Sequence, residues 1–321
     1  MNKIWLLIFL SFLSFNSFGQ KADTLIKKLD SLTNKKDSAG KQINNTAPEA
    51  YNPQTRITFK SYFILLGSDL KQDFTKPFHM KRKDWGKLGL FTAGIAAMTF
   101  ADEPIQKQAI KLRNNTPAAT NISKYVTNFG GSYEFITLGG LGLYGIIFKN
   151  EKIKTTTLLA SQAYIAGALV ESVTKFITGR TRPSYYDPTA EAEPTFKGPF
   201  GNTSHDYSGS RSNSSFPSGH ATVAFAAATV YAMEYRSTVW VPIVSYSLAS
   251  LIGVSRITEN KHWTTDVLVG AMLGYLTGRQ IVNNYHRYAK LKAPNQPKNS
   301  VTFNVGYDDG QIRPGLVYHI R

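Results

Sequence analysis

Three groups of polar residues stand among long apolar stretches of this chain. The first is Lys175, six residues, then Arg182-Pro183. The second is Pro217-Ser218-Gly219-His220. The third is Ser255-Arg256, five residues, His262, three residues, Asp266. Lys175, Arg182 and Arg256 are permanent cations at the ends of apolar stretches. A tetrahedral oxyanion needs cations and N–H donors around its oxygens, and the planar fork of arginine donates two bonds at once. Ser218 stands where an N-cap is expected, just before the apolar run Ala221–Met233. The free N–H groups of that helix's first turn then form an anion site. Gly219 lets an oxyanion approach the backbone, and His220 falls in the first turn beside it. His262 and Asp266 are four apart, so on a helix they share a face. The carboxylate would accept one ring N–H and leave the other nitrogen with a free lone pair. That is the arrangement of a nucleophile held by an orienting acid.

Taken singly, each group also has an ordinary structural role. A Lys–Arg pair serves as a solvated helix end, Pro-Ser-Gly-His as a helix start, and histidine four before aspartate as a stabilising pair. No third histidine or carboxylate completes an evident metal-ligand spacing with His262 and Asp266. Neither the nucleoside-triphosphate loop nor the dinucleotide fingerprint occurs.

Together, the three groups resemble the signature of the type 2 phosphatidic acid phosphatase superfamily, which includes vanadium-dependent haloperoxidases and bacterial class A acid phosphatases. Eleven specified residues match in order, from Lys175 to Asp266. The resemblance implies an all-α, six-helix-type bundle with the site at one end. It implies His262 as a nucleophile forming a phosphohistidine, Asp266 as its orienter, and His220 as the acid that protonates the leaving oxygen. Lys175, Arg182 and Arg256 would clamp the phosphate, with Ser218 and Gly219 adding donors. It implies no metal and no cofactor; vanadate would enter only as an inhibitor, or as the cofactor in the haloperoxidase alternative. Arg180, a second arginine inside the first group, stands as a rim charge without a role.

The substrate implied is a phosphate monoester or diphosphate, of an envelope lipid or of a small soluble ester. An anionic membrane surface is an expected partner and nucleic acid is not. A haloperoxidase would need a longer first spacing and a longer chain, and a binding module without activity would not need the intact set of clamp, acid and nucleophile. Aromatic residues of the 184–216 loop (Tyr185, Tyr186, Phe196 and Phe200) and a formal charge of +16 favour lipid phosphate at an anionic surface.

The remaining sequence sets the frame. The 321 residues suffice for one large domain and contain no cysteine, which excludes disulfides and thiolate chemistry. Lys3, the apolar run Ile4–Phe15 and small residues at Ser17 and Gly19 have the layout of a secretory signal peptide over 1–19. Export to a periplasm-facing site in a bacterial envelope follows, with the protein soluble or membrane-associated. Residues 20–80 read as a polar linker, with Tyr62–Leu66 as its one spare apolar piece. The catalytic domain is expected over 81–285. Its apolar stretches Leu88–Ala101, Phe135–Phe148, Thr156–Val170, Ala221–Met233, Thr238–Val254 and Val267–Gly278 lack strand alternation and predict six helices. The tail, 286–321, is expected to carry a β-hairpin turning at Asp309-Gly310.

Overall fold

The computed structural model describes residues 44–186, 192–199, 211–293, 299–308 and 311–320. The expected signal peptide, the Asp309-Gly310 turn and Phe200 lie outside these. The described residues form an all-helical body of eight α-helices: α1 (Phe59–Thr75), α2 (Arg82–Asn115), α3 (Pro117–Phe129), α4 (Ser132–Ile147), α5 (Glu151–Thr178), α6 (Gly219–Glu234), α7 (Trp240–Thr258) and α8 (Thr264–Lys292). Beyond them, β1 (Asn299–Asp308) pairs antiparallel with β2 (Gln311–Ile320), Asn299 opposite Ile320.

All six apolar stretches fall in helices, in α2 and α4 to α8. Two helices were not expected. α3 is short and begins at Pro117, whose missing N–H costs nothing at a first helical position. α1 occupies part of the expected linker. Its start is set by Thr58 and Ser61, each side chain accepting the other's backbone N–H, at 3.2 and 2.7 Å. Tyr62–Leu66 is therefore part of a full helix, and Leu65 and Leu66 enter the core with Leu159, Val230, Ile281 and Tyr285. A polar flank hid it: Asp69 and Gln72 are also buried, because Asn284 of α8 donates to both. Likewise α8 runs on to Lys292, past the expected boundary at 285.

α6 is the axis of the bundle and packs on α5, α7 and α8. Its inward residues are small, including Ala221, Ala224, Ala226 and Ala228. α8 answers with Gly270, Gly274 and Gly278 at four-residue spacing. A side chain at any of the three would meet the α6 backbone, at Ser218, Thr222 and Ala226 respectively. The two helices approach closely because both contacting faces lack bulk. At the far end of α6, buried Glu234 accepts from Tyr51 and lies 2.8 Å from His286 Nε2, tying the segment before α1 to the bundle.

α2 is inside out. The residues it buries are Asp102, Gln106 and Ala109, whereas Leu90 is 78% and Phe100 86% exposed. Apolar side chains are also exposed along α3, α4 and α7, among them Ile122, Ile136, Ile147 and Ile243. Among the described residues one helix, α7, has the length and apolar composition to cross a bilayer.

Candidate active site

The site lies where the end of α5, the start of α6, the end of α7 and the start of α8 meet. Lys175 is in the last turn of α5. Gly179 then adopts a left-handed conformation (φ 54°), which ends the helix and turns the chain away. The following residues Arg180 to Arg182 run back over the bundle, their backbone paired with Thr195, Ser212 and Ser215.

Ser218 is the N-cap of α6, as expected, with extended backbone angles (φ −72°, ψ 112°). Its hydroxyl makes no capping bond; Oγ is buried without a hydrogen-bond partner. Its N–H donates to the Asp266 carbonyl at 3.0 Å, which locks the start of α6 to the start of α8. The next N–H groups, of residues 219–221, are first-turn donors with no intrahelical acceptor. A Cβ on Gly219 would lie 2.8 Å from Glu171 Oε1 and 3.2 Å from Lys175 Nζ, so the cation stands directly over this helix start. His220, in the first turn, rests against the α3–α4 turn. A Cβ on Gly131 would lie 3.6 Å from its Nε2.

Two cations have carboxylate partners one turn away. Lys175 Nζ is 2.9 Å from Glu171, and Arg256 Nη1 donates to Glu259 at 2.7 Å. Arg182 donates to Ser214 Oγ, to the Ser214 carbonyl and, at 3.4 Å, to the Lys261 carbonyl. Glu171 and Glu259 were not singled out in the sequence, although both stand at helical spacing from a motif cation.

The orientation of His262 differs from expectation. Asp266 Oδ2 is 3.7 Å from Nδ1, beyond hydrogen-bonding reach. The Ser215 carbonyl takes its place, 2.7 Å from Nδ1. A carbonyl only accepts, so Nδ1 carries the proton and Nε2 the lone pair. The reason is local. α8 begins at Thr264, so His262 lies before the helix and shares no helical face with Asp266. The Asp266 carboxylate instead turns back onto its own helix start, where Oδ2 accepts the Trp263 N–H (2.9 Å) and the Ser215 hydroxyl (2.5 Å).

Arg180 is no rim charge. It is 1% exposed. Nη1 donates to Asp266 Oδ1 (2.5 Å) and Thr265 Oγ1 (2.7 Å), and Nη2 to Asp102 Oδ2 (2.7 Å). Asp102 comes from α2 and also accepts the Thr265 N–H at 2.9 Å. The available signal for Asp102 was a carboxylate directly after the apolar stretch Leu88–Ala101.

Electrostatics bind the parts together. Burial, and then the three cations Arg182, Lys175 and Arg256, hold the His262 imidazole well below its usual range. Burial and the same three cations push His220 down to about 3. In the free protein both rings are neutral at neutral pH, in a field that attracts anions.

A family model described as the PAP2 superfamily matches residues 156–289. Lipid A 1-phosphatase of Porphyromonas gingivalis is 49% identical over 65 residues, 20% of this chain and 15% of that protein. The chain thus matches a small part of that relative's length. Undecaprenyl-diphosphatase of Sulfolobus acidocaldarius is 28% identical over 172 residues, 52% of this chain and 72% of that protein. Among solved structures, a transmembrane PAP2-type phosphatidylglycerolphosphate phosphatase from Bacillus subtilis is 22% identical. The comparison covers 61% of this chain and 92% of that one, with a TM-score of 0.43. The stretch that matches the PAP2 superfamily model, residues 156–289, carries all three motifs.

Proposed function

We propose that the protein is a metal-independent phosphatase that hydrolyses a phosphate monoester or diphosphate of an envelope lipid through a phosphohistidine at His262. The observation that carries this is the placement of Lys175 directly over the start of α6, with His220 in its first turn; the field of Lys175, Arg182 and Arg256 at both histidines supports it. A phosphoryl group clamped by these cations and by the first-turn N–H groups of α6 has an imidazole lone pair on one side. His262 Nε2 attacks phosphorus as the bond to the leaving oxygen breaks, and His220 delivers a proton to that oxygen. Water then attacks the phosphohistidine, His220 takes its proton, and inorganic phosphate leaves with His262 neutral again. His220 is neutral in the free protein, held so by burial and then by the three cations; the dianionic substrate offsets the cations, and the proton that His220 delivers is taken up from solvent as the substrate binds. The clamp stabilises charge on the non-bridging oxygens without a metal ion.

The inside-out α2 and the exposed apolar faces of α3, α4 and α7 favour lipid as the surrounding and as the substrate's anchor. The names of the two sequence relatives point the same way. Export, with the site on the outer side of the inner membrane, fits the expected signal peptide and a supply of envelope lipid phosphates.

The test is phosphate release from lipid A, undecaprenyl diphosphate, phosphatidylglycerophosphate and small soluble esters, with purified protein in detergent. Lipid phosphates are expected to turn over fastest, with activity surviving EDTA, orthovanadate inhibiting, and His262→Ala inactive but folded. Chelator-sensitive activity restored by zinc or magnesium, or an active His262→Ala, would refute the mechanism. A preference for soluble esters would refute the lipid substrate alone.

A further inference from the structure

Behind His262 lies a chain of buried polar contacts that the phosphoryl clamp does not use. Asp102 of α2 reaches Arg180, Arg180 reaches Asp266, Asp266 holds the Ser215 hydroxyl, and the Ser215 carbonyl holds His262 Nδ1. Ser215 is fastened a second time, because its N–H donates to the Arg180 carbonyl at 2.9 Å. Backbone and side chain of Arg180 therefore bracket the peptide that orients the imidazole. The guanidinium lies 5.1 Å from the Phe196 ring centroid and 5.6 Å from that of Trp263. Asp102, Arg180 and Asp266 are each 0–1% exposed.

We infer that Arg180 and Asp102 are positioning residues which keep Asp266 ionised and so hold the Ser215 carbonyl, and with it the attacking tautomer of His262, in place. The physical case is a charge count in a dry site. Asp266 faces Arg180, the Ser215 hydroxyl, the Trp263 N–H and the His262 ring, with Lys175 further off. Asp102 shares Arg180 with it, at 2.7 Å, and accepts the Thr265 hydroxyl at 2.5 Å. Two carboxylates around one arginine are stable as a triad of net charge −1. Without the guanidinium they repel, and one takes up a proton. Protonated Asp266 no longer needs the Ser215 hydroxyl as a donor, the 215 peptide loses one of its two fastenings, and Nδ1–H of His262 loses its fixed acceptor. Neither Arg180 nor Asp102 touches the phosphoryl position, so substrate affinity is spared.

On the premise of the phosphatase proposed above, kinetics of Arg180→Gln, Arg180→Lys and the double variant Asp102→Asn/Arg180→Gln test this. Arg180→Gln is expected to lower kcat about 10- to 100-fold, the range for loss of an outer partner of a reactive group. KM and orthovanadate inhibition should stay within about threefold, since the clamp is untouched. The acidic limb of the kcat profile should move up by about one to three pH units, the usual effect of removing an arginine beside a carboxylate. Arg180→Lys keeps the charge without the fork and should fall between. The double variant removes the repelling carboxylate as well and should bring the acidic limb back toward wild type. It also stays measurable if the lone buried carboxylates of Arg180→Gln prevent folding.

A second readout needs no activity. With six histidines in the chain, nitrogen-15 spectra of histidine-labelled protein can report the His262 tautomer. Wild type is expected as Nδ1–H at neutral pH, and Arg180→Gln as a mixture. Loss of kcat and vanadate affinity in equal proportion, with an unshifted acidic limb and an unchanged tautomer, would reduce Arg180 to a folding role and overturn the inference. Wild-type kcat in Arg180→Gln would do the same. If wild type releases no phosphate from any substrate, the proposed function fails, and the tautomer alone decides this inference.

Discussion

The same substitution, glycine to alanine, should separate the site from the scaffold. A Cβ on Gly219 would lie 2.8 Å from Glu171 Oε1, 3.1 Å from its Cδ and 3.2 Å from Lys175 Nζ. These are the far ends of flexible side chains, which can swing aside, so the fold should tolerate Gly219→Ala. The anion site should not, because the methyl group displaces Lys175 from the start of α6 and blocks the approach of an oxyanion. Losing one charge-assisted contact costs about 1.5–3 kcal/mol, and a lysine that partly recovers its position brings this to the lower end, about tenfold in affinity. A Cβ on Gly274 would instead collide with the Thr222 carbonyl and come within 2.8 Å of the Ala226 nitrogen. Backbone cannot swing aside. Overpacking costs about 1–3 kcal/mol, against about 1 kcal/mol gained in helix propensity. At about 2–4 °C per kcal/mol for a domain of this size, the net loss of up to about 2 kcal/mol lowers Tm by up to about 4–8 °C. Thermal melts and orthovanadate inhibition of both variants in the same detergent give the comparison. Gly219→Ala should keep its Tm and bind vanadate about tenfold more weakly. Gly274→Ala should melt earlier and, below its Tm, bind vanadate as wild type does. A destabilised Gly219→Ala with unchanged vanadate affinity would refute the placement of Lys175 over the start of α6.

His220→Asn should lose more rate on an alkyl phosphate than on p-nitrophenyl phosphate, because only the alkoxide needs a proton, worth about 10²–10⁴-fold from a positioned acid; equal losses would remove His220 from the acid's role. His262 and His220 both have depressed proton affinity in the folded state, so nothing is lost above pH 6.5, and below it the unfolded chain takes up protons that the folded one refuses. Each should cost up to about 1.4 kcal/mol per pH unit well below pH 6.5, and unfolding at pH 6.5 and 5.5 should show the fall about 1 kcal/mol smaller in His220→Asn; an identical fall would mean that His220 is not held neutral. The chain has no cysteine, so Lys197→Cys, in the exposed part of the 184–216 loop, is a single label. It should react with a membrane-impermeant maleimide in intact spheroplasts, and labelling only after lysis would place the site inside.

What a linear sequence can specify is periodicity and composition, and here both were enough for the body of the fold. Six apolar stretches without alternation became six helices, and Ser218 became the N-cap of α6 because that choice depends on neighbours within a turn. The three motifs likewise named residues that the structure gathers at one end of the bundle. Pairing between distant elements was settled only in three dimensions. His262 and Asp266 looked like helical neighbours, yet α8 starts between them, and the acceptor of Nδ1 is a carbonyl 47 residues away. Arg180 looked like a solvated charge, and only the arrival of Asp102 from α2 and Asp266 from α8 allows its burial. α1 carried too many polar residues to read as core, because the partners that satisfy Asp69 and Gln72 come from α8. A buried polar group costs too much to keep unless a partner meets it. Where that partner lies far along the chain, local sequence holds no trace of it, and the tertiary structure alone decides which charges are solvated and which are built into the site.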